Sequence, residues 1–467
     1  MAAHAAPASR IWNLRTGGVE MRSIIRFAAV CGVLLAGCKD NSSANSGGAS
    51  APAPSSDTAT IQATAAMPQC APDNGGIQLP NGFCALIVAN GFAPEGTNAR
   101  HLQVAADGTI YASVQGKNKA ETPAEHGGVA AMRDTNGDGK MDTTAWFGPE
   151  GGTGLVLKGG YLYFGTNNAI LRYRMGDAML PVSGPDTLVQ GLPSTPGHSS
   201  KSFALGNNNE LWVDIGSPSN ICQVKDRTAG SPGKDPCPEL ENRAGIWQFD
   251  ANKLHQTEAQ GTRWATGIRN AVGVAFNPTD NTLYATQHGR DQLNLWPPYT
   301  AQDNAERPAE ELIRVTKGAD FGWPYCWYDN QTKKFQLSPE YAGSSKDASR
   351  CADKQAPVTA FPGHWAPNDL LFYNAQQFPE HYRGGAFIAF HGSWNRAPLP
   401  QAGFRVAFVP LVNGQLSSSY ETFADGFAGP DLNNAKNRPV GLAVGPDGSL
   451  YIAASNSRVI WRVMYKG

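Results

Sequence analysis

Charge is scarce in this 467-residue chain: only 16% of its residues are Asp, Glu, Lys or Arg, and 38 basic against 39 acidic groups leave a formal net charge of −1. No basic surplus is available to neutralise a phosphate backbone, which excludes nucleic acid as a partner. The apolar run from Phe27 to Leu35 is too short to span a bilayer. Cys-x-x-Cys-His is absent, so no haem is attached covalently, and none of the cysteines has metal-ligand spacing. Amphipathic helical periodicity is missing beyond the N-terminal region. Together with 52 Gly and 33 Pro, that absence predicts an all-β chain rich in turns, and 41% hydrophobic residues supply a large core.

The first 67 residues read as processing and tether rather than fold. Residues 1–20 have neither a basic opening nor an apolar run and read as an extension upstream of a start at Met21. From there Met21-Arg-Ser-Ile-Ile-Arg26 is basic, Phe27 to Leu35 apolar, and Leu35-Ala-Gly-Cys38 places small residues before a cysteine. Segment 21–38 resembles a bacterial lipoprotein signal. The resemblance implies lipidation of Cys38 and a periplasmic location, and Lys39 in place of an acid implies the outer membrane. Cleavage near Ala36, as in an ordinary secreted protein, is the alternative. Residues 39–67, mostly Ser, Ala, Gly, Thr and Pro, form a flexible tether, and the catalytic body is 68–467.

Six cysteines remain in the body, close in sequence two by two: Cys70 and Cys84, Cys222 and Cys237, Cys326 and Cys351. Local disulfides formed in an oxidising compartment are the natural reading, each worth about 3 kcal/mol if unstrained, with connectivity left open.

Through the body one pattern recurs: an apolar strand, a turn of Gly, Asn or Asp, then a strand of aromatic and β-branched residues. It occurs at His101–Tyr111, Gly154–Tyr163, Ser202–Trp212, Gly273–Tyr284 and Gly441–Tyr451, and less cleanly between Leu370 and Phe390. Hairpins at this long, regular interval predict a six-bladed β-propeller, where a β-sandwich would explain the strands but not the period. The last strand, ending Val459-Ile-Trp-Arg-Val463, is expected to share its blade with an N-terminal strand so that no edge stays open.

Propellers carry function on the loops around the channel. Here those loops hold Arg100-His101, Gly197-His198-Ser-Ser-Lys201, Ile268-Arg269-Asn270, His391-Gly-Ser-Trp-Asn-Arg396 and Asn437-Arg438-Pro439. Arginines entering one mouth from several blades repel each other unless an anion lies between them, and a ligand with several carboxylates answers that need. The spacing is equally compatible with Arg269 and Asn270 capping a strand and pairing with a surface acid. Trp296, Trp323, Trp327 and Trp394 suit a pyranose face or a blade core, with the core favoured for at least half.

Gly267-Ile-Arg-Asn270 with Val272-Gly-Val-Ala-Phe276, Gln287-His-Gly-Arg-Asp-Gln292, Asp320-Phe-Gly-Trp-Pro-Tyr-Cys326, His391-Gly-Ser-Trp-Asn-Arg396 and Arg438-Pro-Val-Gly441 together carry a family resemblance. In this order they resemble the glucose/sorbosone dehydrogenases, soluble quinoproteins that use pyrroloquinoline quinone, and within them the sorbosone and pyranose branch. The resemblance runs from about Leu79 to Val463. It implies a six-bladed propeller, calcium beside the quinone, oxidation of a sugar hydroxyl or aldehyde hydrate, and a separate electron acceptor, a cytochrome or a quinone. It makes His198 the general base and sets Arg269, as a catalytic group, with Asn270 against the quinone oxygens as fixed donors. Arg100, Arg396 and Arg438 would bind cofactor carboxylates, and the backbone carbonyls of Gly289 and Arg290 would hold calcium.

Two departures stand out. Gly216-Ser217 lies where the family often has an acid to orient the histidine, and no lysine appears at the cofactor position occupied here by Arg396. A second metal candidate is Asp134-Thr-Asn-Gly-Asp-Gly-Lys-Met-Asp142, with oxygens at Asp134, Asn136, Asp138 and Asp142, but Ala145 stands at the twelfth position and a plain hairpin turn explains the loop equally well. Glu310 and Glu311 either hold another ion or face water. The rival functions are a calcium-dependent lactone hydrolase, which needs acids converging on the channel, and a propeller that binds a glycan or protein without catalysis.

Overall fold

Six antiparallel sheets built on four strands each, with two small two-stranded sheets beside them, form the computed structural model, which describes residues 68–117, 120–342 and 348–467. The proposed signal and tether lie outside the described residues. Blade 1 runs through Asn98–Val104, Ile110–Gln115, Gly127–Arg133 and Thr143–Phe147, and blade 2 through Gly152–Lys158, Tyr161–Thr166, Ile170–Arg174 and Ser183–Val189. Blade 3 comprises Phe203–Leu205, Glu210–Ile215, Gly245–Asp250 and Thr262–Thr266, extended by the short parallel strand Ala319–Asp320. Blade 4 comprises Ala271–Asn277, Thr282–Gln287, Glu310–Val315 and Thr359–Phe361, and blade 5 Pro367–Phe372, Ala386–Phe390, Arg405–Val409 and Glu421–Ala424. Among the described residues the single α-helix is Ala301–Glu306. The architecture is the expected six-bladed propeller.

Turn chemistry explains the repeat. Lys158 pairs with Tyr161 across a two-residue turn in which Gly159 and Gly160 both take positive φ, +60° and +77°, the geometry that matches strand twist and that glycine adopts without strain. Second strands are buried on both faces, as in Thr282–Gln287 and Ala386–Phe390, where every residue is buried. That burial is why they read as continuous apolar runs instead of alternating ones. The less regular repeat of blade 5 reflects a longer connection from Phe372 to Ala386, folded over its own core by stacking of Tyr373 on Phe378 at 4.5 Å.

Blade 6 closes the ring. Its first three strands are Pro439–Val444, Leu450–Ala454 and Val459–Tyr465, and its fourth is the N-terminal strand Phe83–Asn90, paired from Phe83 opposite Tyr465 to Asn90 opposite Val459 with one slip between Ile87 and Ala89. Phe83 meets Phe378, Tyr382 and Phe423 of blade 5 edge-on at 4.8, 5.3 and 5.1 Å. Closure therefore rests on an aromatic joint as well as on backbone pairing. The cysteines pair as sequence neighbours: Cys70 with Cys84 at the closing strand, Cys222 with Cys237, and Cys326 with Cys351.

Five of the six innermost strands share a detail that sets up the mouth, blade 3 being the exception. Their pairing with the second strands slips between Ala99 and Leu102, Gly152 and Leu155, Ala271 and Gly273, Pro367 and Asp369, and Pro439 and Gly441. Each slip re-aims the residues at one end of the strand, which is how bulges serve binding sites. Arg100 and His101 sit inside the first of them. Replacing Phe83 with Ala is expected to lower the unfolding free energy by about 3–5 kcal/mol, read from urea unfolding of the mature body, because it removes a large side chain from the closing joint.

Candidate active site

His198 lies on the irregular segment between Ser183–Val189 and Phe203–Leu205. Its backbone N–H donates to the Ser217 carbonyl at 3.1 Å, and its ring Nδ1 lies 2.8 Å from the same oxygen and 3.1 Å from Ser217 Oγ. A carbonyl can only accept, so Nδ1 carries the proton and Nε2 presents a lone pair. Ser217 thus replaces the expected acid through its backbone oxygen more than its hydroxyl, whose own proton goes to the Ser219 carbonyl at 2.7 Å. Burial and the Arg269 guanidinium push the imidazole pKa down to about 3, so the ring is neutral. Gly216 makes room for this arrangement: a Cβ there would stand 2.7 Å from His198 Cβ and 3.1 Å from Asn270 Oδ1.

Arg269 is paired with an acid, but a buried one. Its Nη2 donates to Asp291 Oδ2 at 2.8 Å, its Nε to the Asn220 carbonyl at 3.1 Å, and its backbone N–H to Gln287 Oε1 at 2.8 Å. Asp291 also accepts from Arg227 Nη2 at 2.9 Å and Asn395 Nδ2 at 2.8 Å, faces His364 Nδ1 at 3.4 Å, and exchanges two 2.9 Å bonds with Asn220 through its backbone. Burial works against its charge, yet Arg269, His364 and Arg227 overcome that and hold the carboxyl well below its usual range. Asn270 is buried next to this pair. His288 Nε2 lies 3.0 Å from the Pro367 carbonyl and so carries the proton, which leaves Nδ1 as acceptor for Asn270 Nδ2 at 3.5 Å. Asn270 Oδ1 is buried without a partner. Asn270 Nδ2 carries two N–H groups, of which one is directed at His288, so the side chain keeps a donor as well as its unpartnered Oδ1 acceptor.

Arg100 and Arg438 have no carboxylate within ion-pair reach among the described residues. Arg100 Nε is buried and bare, and burial lowers the pKa of this side chain. Arg438 donates weakly to the His391 and Gly392 carbonyls at 3.4 and 3.3 Å and to Gln401 Oε1 at 2.9 Å, with its guanidinium 4.9 Å from the Phe404 ring centre. His391 feels both: burial first, then Arg100, Arg438 and His288, bring its pKa down to about 3. Blades 1, 3, 4, 5 and 6 therefore send cationic or imidazole groups to one mouth in excess of the carboxylate charge there. That is the chemistry of a receptor for an anion.

Arg396 does not join this group. It donates to the Ala305 and Gly363 carbonyls at 2.5 and 3.0 Å, to the Pro400 carbonyl at 3.2 Å, and to Glu306, which braces helix Ala301–Glu306. Arg290 is likewise spent on a bidentate, buried pair with Glu340 at 2.7 and 2.8 Å. Its backbone fares differently: among the described residues neither the Gly289 nor the Arg290 carbonyl accepts a hydrogen bond. Those two oxygens fit a hard cation. Both residues line a small cavity with Arg269, Glu311, Trp323 and Trp327. Burial raises Glu310 to about 7 and Glu311 to about 8, and Glu311 Oε2 has no partner, so both acids are internal rather than facing water. Trp323 and Trp327 are core residues, whereas Trp394 is 66% exposed.

The loop from Asp134 to Asp142 is a hairpin turn between the third and fourth strands of blade 1. Asp134 accepts from the Gly137 and Gly139 N–H groups at 2.7 and 2.8 Å, Asn136 from Asp138 N–H at 2.9 Å, and Asp142 from Thr135 and Asn136 N–H groups at 3.0 and 3.2 Å. The carboxylates of Asp134, Asp138 and Asp142 do not converge on one point.

A propeller whose mouth combines an oriented imidazole with arginines left without acids defines an anion-receiving class of site. The chain belongs to the TrAA12-like family, whose profile matches residues 77–466. It is 30% identical over 204 residues to an uncharacterized protein of Borreliella burgdorferi, covering 43% of this chain and 48% of that one. It is 25% identical over 344 residues to a pyrroloquinoline quinone-dependent sugar dehydrogenase of Hypocrea jecorina, covering 66% of this chain and 73% of that one. The chain thus spans about half of the first relative and about three quarters of the second. A solved structure of the Trichoderma reesei carbohydrate-active enzyme family AA12 shares the fold, with a TM-score of 0.67 at 20% identity over 84% of this chain and 98% of that one.

Asp291→Ala strands Arg269 in a buried position. The expected loss is about 3–5 kcal/mol of unfolding free energy, measured by urea titration.

Proposed function

We propose that this protein is a quinoprotein that oxidises a sugar hydroxyl or aldehyde hydrate, with pyrroloquinoline quinone and calcium as its cofactors. The observation that carries the reading is the pairing of a neutral imidazole, free at Nε2, with Arg100 and Arg438, which lack acidic partners. When bound, the quinone supplies a hydride acceptor and calcium a Lewis acid that polarises its carbonyl. Arg100 and Arg438 would hold carboxylates, and the Gly289 and Arg290 carbonyls the metal. Arg269, tethered at Nη2 and Nε, keeps Nη1 without a hydrogen-bond partner among the described residues, available for an oxygen that gains negative charge. His198 Nε2 would remove the hydroxyl proton while Ser217 keeps the ring oriented. Electrons would leave to a separate cytochrome or quinone. Aldoses, pyranoses and sorbosone are the substrates to compare, and the Hypocrea jecorina relative supports the sugar class.

The lactone hydrolase reading lacks support because among the described residues no three carboxylates at the mouth lie close enough to share a metal ion, and the non-catalytic reading leaves the oriented histidine without a role. We place the protein in the periplasm, held to the outer membrane by acylation of Cys38, on the strength of Leu35-Ala-Gly-Cys38-Lys39.

Quinone and calcium added to metal-free protein should give dye reduction with at least one sugar of the panel, and silence with every sugar together with no spectral change on mixing would remove the proposal. His198→Ala should lower kcat by roughly 10²–10⁴-fold while quinone affinity, titrated by absorbance, stays nearly constant. In the quinone-free protein the His198 ring should remain neutral well below pH 6.5, since its pKa is lowered, and NMR titration checks this. A bound polyanion moves that value upward.

A further inference from the structure

The segment that carries His198 and the turn that orients its ring are separate stretches of chain, residues 190–202 and 216–219. Besides the contacts of His198 with Ser217, a second buried side chain joins them. Arg243 is 4% exposed, and its Nε donates to the Gly216 carbonyl at 2.6 Å, while Nη2 reaches the Pro196 and His198 carbonyls at 3.2 and 3.4 Å. No carboxylate of the described residues lies within ion-pair reach of it; Asp214 and Glu239 act on it only from a distance. Its other charged neighbour, Lys201, directs its ammonium to the Ser199 carbonyl at 2.9 Å. Burying a guanidinium without an acid in contact is costly, so the contacts it makes must return that cost in organisation.

What those contacts organise is the histidine. His198 is fixed to Ser217 by its own N–H and Nδ1, and Ser217 is fixed to the Arg269 carbonyl by a 2.8 Å bond, but each of these depends on Pro196–His198 lying correctly against Gly216. A planar fork of five donors reaches carbonyls on both stretches at once, which the single ammonium of a lysine cannot do. Gly216 adds the matching steric demand, because nothing larger fits between His198 and Asn270.

We propose that Arg243 is a positioning residue for the proton-abstracting histidine: by clamping the Pro196, His198 and Gly216 carbonyls it sets where Nε2 points relative to Arg269 and Asn270. The proposal rests on the reading of His198 as the base. It explains how a chain with no acid behind the imidazole still holds one ring orientation.

Arg243→Lys and Arg243→Met in the full chain test it. Both variants should lose about 100-fold in kcat, with KM and quinone affinity held within about two-fold, as expected when a catalytic group is displaced by roughly 1 Å. The isotope effect from deuterium at the reacting sugar carbon should grow. A readout independent of turnover is ¹⁵N NMR of the His198 ring in quinone-free protein, where the wild type shows the Nδ1–H tautomer and the variants a mixture. A lysine variant with wild-type kcat and an unchanged tautomer overturns the proposal. So does a loss shared equally between kcat and quinone binding, which marks a general lesion. Turnover retained by His198→Ala removes the reading of the base itself, and an unchanged NMR spectrum in the Arg243 variants then removes the clamp separately.

Discussion

The mouth is organised around one buried carboxylate. Asp291 gathers Arg269, Arg227, Asn395, His364 and Asn220, which come from the loops of blades 3, 4 and 5, and a charge so deeply placed is tolerable only with that many donors. The arrangement is mutual: Arg269 is buried because the acid is there, and the acid stays ionised because Arg269 and the more exposed Arg227 are. Once this pair is satisfied, the mouth has used its one strong acid. Arg100 and Arg438, arriving from blades 1 and 6, find no second one. The imbalance that makes the site receptive to an anion is thus a consequence of how the opposite wall is held together.

Position within the blades supplies the rest. Slips in the innermost strands turn their terminal residues away from regular pairing, so Arg100 projects from a bulge instead of continuing the sheet. The closing strand Phe83–Asn90 keeps the ring from opening, and a ring that cannot open is what fixes the distance between blade 1 and blade 6 arginines.

Much of the frame was legible because its causes are local. Gly159-Gly160 and the Asp-Gly turn at Asp447-Gly448 dictate hairpins wherever they stand, and cysteines 14 to 25 residues apart find each other without long-range information. The contents of the mouth were legible as residue types but not as partnerships. Arg396 stands in the same loop as His391, yet the short turn Trp394–Arg396 points it to helix Ala301–Glu306, and no spacing rule separates these outcomes. Asp291 was visible in Gln287-His-Gly-Arg-Asp291, while its role depends on Asn220 and Arg227, about 70 residues earlier in a loop without regular structure. Arg243 belongs to no motif at all. Glu310 and Glu311, read as solvent-facing or ion-binding, proved to be internal because the strand that starts with them is covered on both sides.

Replacing an acid by a carbonyl behind His198 has a consequence for how the base operates. A carboxylate against Nδ1 would stabilise the imidazolium wherever the ring sits, whereas the Ser217 carbonyl fixes the tautomer and contributes only a dipole. Burial and Arg269 then keep the ring neutral and weakly basic in the free protein. Under the proposed function negative charge would come with the cofactor, whose carboxylates Arg100 and Arg438 would hold, and it would oppose the field of Arg269 at the ring. Linkage makes this reciprocal: whatever raises the affinity of the ring for a proton is bound more tightly by the protonated protein. Under the proposed function the histidine would be a poorer base in the vacant mouth than in the filled one, which would tie proton abstraction to the presence of the hydride acceptor.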